Sequence, residues 1–192
     1  MAKKILGIDP GSRATGYAVL EENNSTFRAT VCDVLRMDKM DDHNERLQFI
    51  FDEISSLLET HKPDECAIET PVYGVDPLAM LKLGRAQAAA IIAITNAGIQ
   101  VTEYYPKAVK KAITGNGNAS KKQVAFMLDK MITLPVEKLT NDATDALAVA
   151  WCHHTKNTGI SSSGPKNKMH QNNRKSSWSS FVENNPDRVK KH

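Results

Sequence analysis

Apolar and polar positions change rhythm several times along the chain. Ile5 to Asp9 is a short apolar run, Pro10-Gly11-Ser12 carries turn chemistry, and Gly16 to Leu20 is apolar again. That pattern reads as a β-hairpin, with a third strand over Thr26–Leu35. From Asp41 to His61 the rhythm becomes helical: Leu47, Ile50, Phe51, Ile54, Leu57 and Leu58 fall at i, i+3, i+4, i+7, i+10 and i+11, one apolar stripe of an amphipathic helix. Pro63 stops this helix, and Cys66-Ala67-Ile68 fits a short buried strand. Leu78 to Asn96 is a second helix, rich in small residues and closed by Gly98, and Ile99–Tyr104 suits another strand.

Pro106 fits a helix first turn, and the helix it opens runs to about Ile113 before the loop Thr114-Gly115-Asn116-Gly117-Asn118. Ser120-Lys121-Lys122-Gln123 has the form of a capping box, which starts a new helix and sets two lysines on its first turn. A last helix begins near Thr140-Asn141, both good N-caps, and carries Asp142, Asp145 and Val149 on one stripe to about His154. Residues 156–177 hold only two large apolar side chains, Ile160 and Met169, among Ser, Asn, Lys and Gly, too little apolar surface to offset ordering entropy. We therefore expect a domain over 1–155 and a basic, disordered tail over 156–192. Trp178, Phe181 and Val182 form an apolar knot in that tail, readable as a docking motif or as plain tail.

Charge sharpens this division. The net +3 of the 192 residues hides a body of 17 basic and 20 acidic residues followed by a tail of 8 and 2. Within the body, Tyr104 to Leu128 carries Lys107, Lys110, Lys111, Lys121 and Lys122 with no acid, a field suited to a polyanion, although a solvated surface face has the same composition. The longest apolar run, Ala86 to Thr95, falls short of the ~20 residues of a membrane span, and the N-terminus meets Asp9 and Pro10 before any export signal forms. Cys32, Cys66 and Cys152 are odd in number and widely spaced, which argues for reduced thiols in a cytoplasm over disulfides or a zinc cluster.

Four carboxylates sit in apolar settings at the ends of elements: Asp9 after Ile8, Glu69 after Ile68, and Asp142 with Asp145 at the start of the last helix. Two acids three apart project from one helical face, where burial among Ala143, Ala146 and Leu147 is costly without cations. Oxygen ligands without His or Cys suit Mg²⁺ or Mn²⁺, and acids gathered from distant segments can hold two ions for phosphoryl chemistry. Taken singly, Asp9 reads equally as a turn former and Asp142 as a helix-start charge.

In order along the chain stand Ile5-Leu6-Gly7-Ile8-Asp9-Pro10-Gly11-Ser12-Arg13 with Thr15-Gly16-Tyr17, Ala67-Ile68-Glu69, Leu81-Lys82-Leu83-Gly84-Arg85-Ala86, Glu103-Tyr104, Val109-Lys110 through Gly117, Lys121 with Gln123-Val124, and Asp142-Ala143-Thr144-Asp145. Together these blocks resemble RuvC-type Holliday junction resolvases, the bacterial crossover junction endodeoxyribonucleases, collinearly from Lys3 to about His154. The resemblance implies an α/β, ribonuclease H-like fold, a mixed five-stranded sheet flanked by helices, with Asp9 on the first strand, Glu69 ending the fourth and the aspartate pair on the last helix. It implies that Asp9, Glu69, Asp142 and Asp145 are catalytic and metal-binding, with two Mg²⁺ per site for which Mn²⁺ can substitute. It also implies that Lys110 and Lys121 contact DNA near the scissile phosphate, with Lys107 and Lys122 assisting. Where some relatives carry a phenylalanine three residues after the glutamate, this chain has Val72 followed by Tyr73, and Tyr73 is the candidate for stacking on a base.

The expected activity is resolution of four-way DNA junctions by paired symmetric nicks, in recombination and repair. Matched cuts on a near-dyad substrate call for a C2 homodimer, with Leu78–Ala97 as candidate dimer surface, although a helix packed on the sheet has the same pattern. The bacterial branch-migration complex is a family-level partner. The competing readings are a ribonuclease H-like nuclease for hybrid or other branched substrates, a junction-binding protein without catalysis, and an actin-like kinase or ATPase suggested by Gly7 to Ser12. The chain lacks the length and second phosphate loop for the last.

Overall fold

The structure, a computed structural model, describes residues 2–72, 74, 76–136 and 138–158; Tyr73 and the tail beyond residue 158 lie outside these. Strands β1 (Lys3–Asp9), β2 (Ala14–Asn23) and β3 (Thr26–Arg36) form an antiparallel meander. Asn24 and Ser25, both at positive φ, close the β2–β3 hairpin, the backbone twist that two-residue hairpin loops require. Helix α1 (His43–His61) leads to β4 (Glu65–Glu69), and α2 (Pro77–Asn96) leads to β5 (Val101–Tyr104); both strands run parallel to β1. The mixed sheet has the order β3-β2-β1-β4-β5. Helices α3 (Pro106–Thr114), α4 (Lys121–Met131) and α5 (Asn141–Asn157) follow.

The expected elements are all present, with shifted ends that have local causes. Ile99 does not join β5, because Gly98 turns the chain at φ 75° and the Ile99 amide donates to the Ile94 carbonyl, holding it to the end of α2. Helix α5 continues past His154 to Asn157, so the first residues assigned to the tail are helical. The capping box at Ser120 forms in both halves, Ser120 N donating to Gln123 Oε1 at 2.8 Å and Gln123 N to Ser120 Oγ at 3.3 Å.

Strand alternation sorts the core into two layers. On one face Leu6, Ile8, Cys66 and Ile68 pack with Ile50, Ile54 and Leu58 of α1 and Ala86, Ala90 and Ile94 of α2. On the other, Ile5, Ala18, Leu20, Ala67 and Tyr104 pack beneath Ala146, Leu147 and Ala150 of α5, over which α3 and α4 lie. Among the described residues α2 alone passes, by length and composition, for a membrane span, although its longest uninterrupted apolar run is shorter than one. Its Ala86, Ala90, Ala93 and Ile94 are buried against the fold, while Leu78, Leu81 and Ile92 stay exposed.

A partly buried chain of side chains ties β4, β5 and α5, running from Tyr104, which pairs with Glu69, to Glu65 at the far end of β4. Tyr104 Oη lies 2.9 Å from His153 Nδ1 and His153 Nε2 2.8 Å from Glu65 Oε2, while Lys3 Nζ sits 2.9 Å from Glu65 Oε1. Burial lowers the His153 pKa below 6.5, so the ring is neutral, accepting from Tyr104 and donating to Glu65. A lowered pKa contributes stability present above 6.5 and lost as pH falls below it. His153→Ala is therefore expected to cost about 2 kcal/mol at pH 7.5, because Tyr104 loses its buried partner and the ring leaves a void while Glu65 keeps Lys3 and Asn157, and less at pH 5.5. Denaturant titrations of both proteins at the two pH values read this, and a cost that grows toward acid would exclude the neutral-ring assignment.

Candidate active site

Asp9 and Glu69 are brought side by side by register. Ile8 pairs with Ile68 across parallel β1 and β4, so the next residue of each strand stands at the same sheet end, about 4.8 Å apart between strands. Ile5, Gly7 and Asp9 share one face, as do Glu65, Ala67 and Glu69, and it is the face that α5 covers. Two glycines let α5 approach. A Cβ on Gly7 would lie 2.2 Å from the Ala146 carbonyl oxygen, and one on Gly16, which pairs with Asp9, would lie 2.1 Å from that of Asp142. The first turn of α5, capped by Thr140 Oγ1 accepting from Ala143 N at 3.3 Å, therefore sits directly over the ends of β1 and β2. Asp142 and Asp145 are thus delivered to Asp9 and Glu69.

The electrostatics record this crowding. Burial, then the charges of Asp145 and Asp142, raise the Asp9 pKa from 3.8 to about 6. Burial, then Asp9 and Asp145, raise Glu69 from 4.5 to about 8. Two cations oppose them. Lys121 Nζ donates to Asp145 Oδ2 at 2.5 Å, a contact that raises the lysine's own pKa, and Lys110 acts on Glu69 from α3. Asp9, Glu69, Asp142, Asp145, Lys110 and Lys121 thus act on one another electrostatically at one end of the sheet.

Among the described residues, no three acid, His or Cys side chains are close enough to grip a cation as they stand, and Lys121 already holds one oxygen of Asp145. The donor set nevertheless fits a hard divalent ion. All four groups offer oxygen, two of them are held protonation-prone by burial and mutual repulsion, and one lysine against Asp145 leaves a surplus of negative charge.

The remaining candidates fall on two sides of the carboxylates. Lys107 and Lys110 line a cavity of about 550 Å³ with Val72, Tyr105 and Gly117. Lys122 turns to a second cavity of about 330 Å³ between α4 and α5, together with Phe126 and Lys138. Tyr73, the stacking candidate, lies outside the described residues. The sequence reading passed over Tyr105, Phe126 and Lys138. For Phe126 a signal existed, since it falls off the buried Val124–Leu128 stripe of α4 and is thereby turned to solvent.

A 3-2-1-4-5 mixed sheet with acids on the ends of two adjacent central strands and an acidic pair on the covering helix defines a nuclease of the ribonuclease H-like class. Comparison with known proteins narrows the class. The profile described as crossover junction endodeoxyribonuclease RuvC matches residues 5–153. The chain is 45% identical to the Salinibacter ruber protein of that name over 96% of this chain and 98% of the relative. It is 44% identical to the Porphyromonas gingivalis one over 97% and 96%. Among solved structures, Thermus thermophilus RuvC in complex with Holliday junction substrate superposes with a TM-score of 0.76 at 27% identity, covering 82% of this chain and 96% of that one. The yeast mitochondrial Holliday junction resolvase shares the fold, with a TM-score of 0.62 at 15% identity. The chain belongs to the RuvC family of crossover junction endodeoxyribonucleases.

Proposed function

We propose that this endonuclease resolves four-way DNA junctions by hydrolysing matched phosphodiesters, with Asp9, Glu69, Asp142 and Asp145 as the catalytic acids. The observation that carries this reading is that those acids, from β1, β4 and α5, stand at one end of the sheet near enough to perturb one another, with Lys110 and Lys121 beside them. The acids would hold Mg²⁺, two ions in this reading with Mn²⁺ as substitute, which when bound supplies an activated water and stabilises the leaving 3′ oxygen, leaving 5′ phosphates. The chain's own residues do the rest. The acids fix where the phosphate stops, Lys110 approaches it from α3 beside Glu69, and Lys121, held by the Ser120 capping box, carries its charge from Asp145 onto the phosphate as negative charge builds there. Lys107 and Lys122 extend the positive surface on either side.

Two opposed cuts need two sites related by a dyad. The solvent-facing surface of α1 and α2, with Leu78, Leu81 and Ile92 exposed and a groove floored by Leu47, Phe51 and Ala89, is the face on which a second copy packs in this reading. Work on recombining DNA belongs in the cytoplasm, with the branch-migration complex as partner.

Cleavage of a synthetic four-way junction, with cuts mapped on all strands in Mg²⁺ and in EDTA, tests the reading. Paired nicks that need both the metal and Asp145, read against Asp145→Asn, are expected, with duplex and RNA–DNA hybrid left uncut. Tight metal-independent binding without cutting would make the protein a junction binder. In the same assay Lys121→Ala is expected to slow single-turnover cleavage by about 10²–10³-fold with a much smaller loss of junction affinity. Because it frees Asp145, the same variant should bind Mg²⁺ more tightly in the absence of DNA. Equal losses in rate and binding would confine Lys121 to affinity.

A further inference from the structure

The groove between α4 and α5 has features that the four acids do not account for. It opens beside Asp145 with a volume of about 330 Å³, lined by Lys121, Lys122, Phe126, Lys138 and Asn141. Phe126 is 62% exposed, an unusual position for a phenylalanine, and Lys130 Nζ lies 5.7 Å from its ring centroid. The acids at the groove are matched: Asp145 takes Lys121, and Asp129 pairs with Lys130 at 3.6 Å. Lys122 and Lys138 have no carboxylate partner among the described residues. Lys122 and Phe126 stand one helical turn apart, about 6 Å along α4, so a cation and an aromatic plate follow one another at a nucleotide-sized step from the catalytic point.

A DNA strand laid across the carboxylates must continue past them, and this groove is contiguous with Asp145 and Lys121. Lysines without partners suit a phosphate, and an exposed ring suits any base or sugar face without regard to sequence. A protein partner is a poorer match, because Leu134 and Leu139 of the lining are partly buried in the core and leave Phe126 as the one large apolar side chain exposed there. We propose that the α4–α5 groove seats the nucleotide adjoining the scissile phosphate, with Lys122 and Lys138 on its phosphate and the Phe126 ring against its base or sugar. This rests on the reading of the protein as a junction nuclease and extends it to a strand position.

The test measures junction affinity in a Glu69→Gln background, whose altered residue does not line the groove, with one phosphate at a time beside the cleavage site replaced by neutral methylphosphonate. One position next to the cut should weaken binding about five- to tenfold, and Lys122→Ala/Lys138→Ala should abolish that sensitivity while lowering the salt slope by about two. Phe126→Ala should weaken binding about tenfold and restore the fluorescence of 2-aminopurine at the neighbouring nucleotide, whereas Phe126→Tyr should keep both near wild type. Lys4→Ala, at the far end of β1, controls for net charge. If the double lysine variant keeps the wild-type phosphate profile, or Phe126→Ala binds and quenches as wild type, the groove is not a nucleotide seat. If the unaltered protein neither binds nor cuts the junction, the proposal fails together with the reading beneath it, and the two failures are told apart by paired nicking.

Discussion

Glu69→Gln is expected to raise the melting temperature of the metal-free protein at pH 8.5 while reducing junction cleavage by about three orders of magnitude. Glu69 titrates at about 8 when folded against 4.5 as its ordinary value, and Asp9 at about 6 against 3.8, because both are buried beside one another and beside Asp145. A carboxyl whose folded pKa is raised contributes stability that is complete below its ordinary pKa and lost as pH rises through the folded one. The metal-free protein therefore loses stability from about pH 4 to 6 through Asp9 and from about pH 4.5 to 8 through Glu69. Glutamine removes the second loss, with a gain of roughly 2 kcal/mol at pH 8.5 after solvent screening, or on the order of 5 °C. The gain should vanish at pH 4.5. Mg²⁺ should stabilise the wild type more than the variant, because the site lacks positive charge and the variant lacks a ligand. Melting curves with and without Mg²⁺ at the two pH values decide it, and a metal-free Glu69→Gln less stable than wild type at pH 8.5 would mean that Glu69 is not under charge repulsion.

Gly16→Ala should cripple the enzyme from a position that bears no reactive group. A Cβ there meets the Asp142 carbonyl oxygen at 2.1 Å and its carbon at 2.5 Å, both backbone atoms of the α5 first turn. The helix start must move by about 1 Å to restore ordinary contact, which costs about 1–3 kcal/mol as overpacking. The same shift carries Asp142 and Asp145 away from Asp9 and Glu69, and misplacement of that size costs about 10²-fold in rate. Single-turnover cleavage with saturating enzyme, beside a denaturant titration, separates the two effects. Gly84→Ala is the contrast, since nothing lies within 4 Å of its Cβ, and its fold should lose nothing. A Gly16→Ala enzyme that cuts at the wild-type rate would show that α5 does not set the spacing of the acids.

The agreement between sequence and structure is uneven for physical reasons. The Leu47–Leu58 stripe, the Ser120 capping box and the Gly115–Asn118 loop are signals within one turn or one element, and each survives folding because its partners are local. Element ends moved where a longer contact competed, as when the Ile94 carbonyl claimed the Ile99 amide. The reading of α2 was open from its pattern, since small and apolar residues surround it, and packing left Leu78, Leu81 and Ile92 outside. Two aromatic side chains are hidden in the sequence for a related reason: Tyr105 and Phe126 owe their standing to the cavities that α3, α4 and α5 create around them.

By itself the sequence determined the five strands and five helices of the described residues and set carboxylates at the ends of β1 and β4 and at the start of α5, because periodicity, caps and a carboxylate after a buried run are written locally. What only the tertiary structure decided is how those pieces meet. The register that sets Asp9 beside Glu69, the bare Cα of Gly16 beneath Asp142, and the reach of Lys121 across 24 residues to Asp145 all depend on packing between distant segments. Such contacts leave no periodic trace, since each is one pair chosen from many by the geometry of the whole sheet.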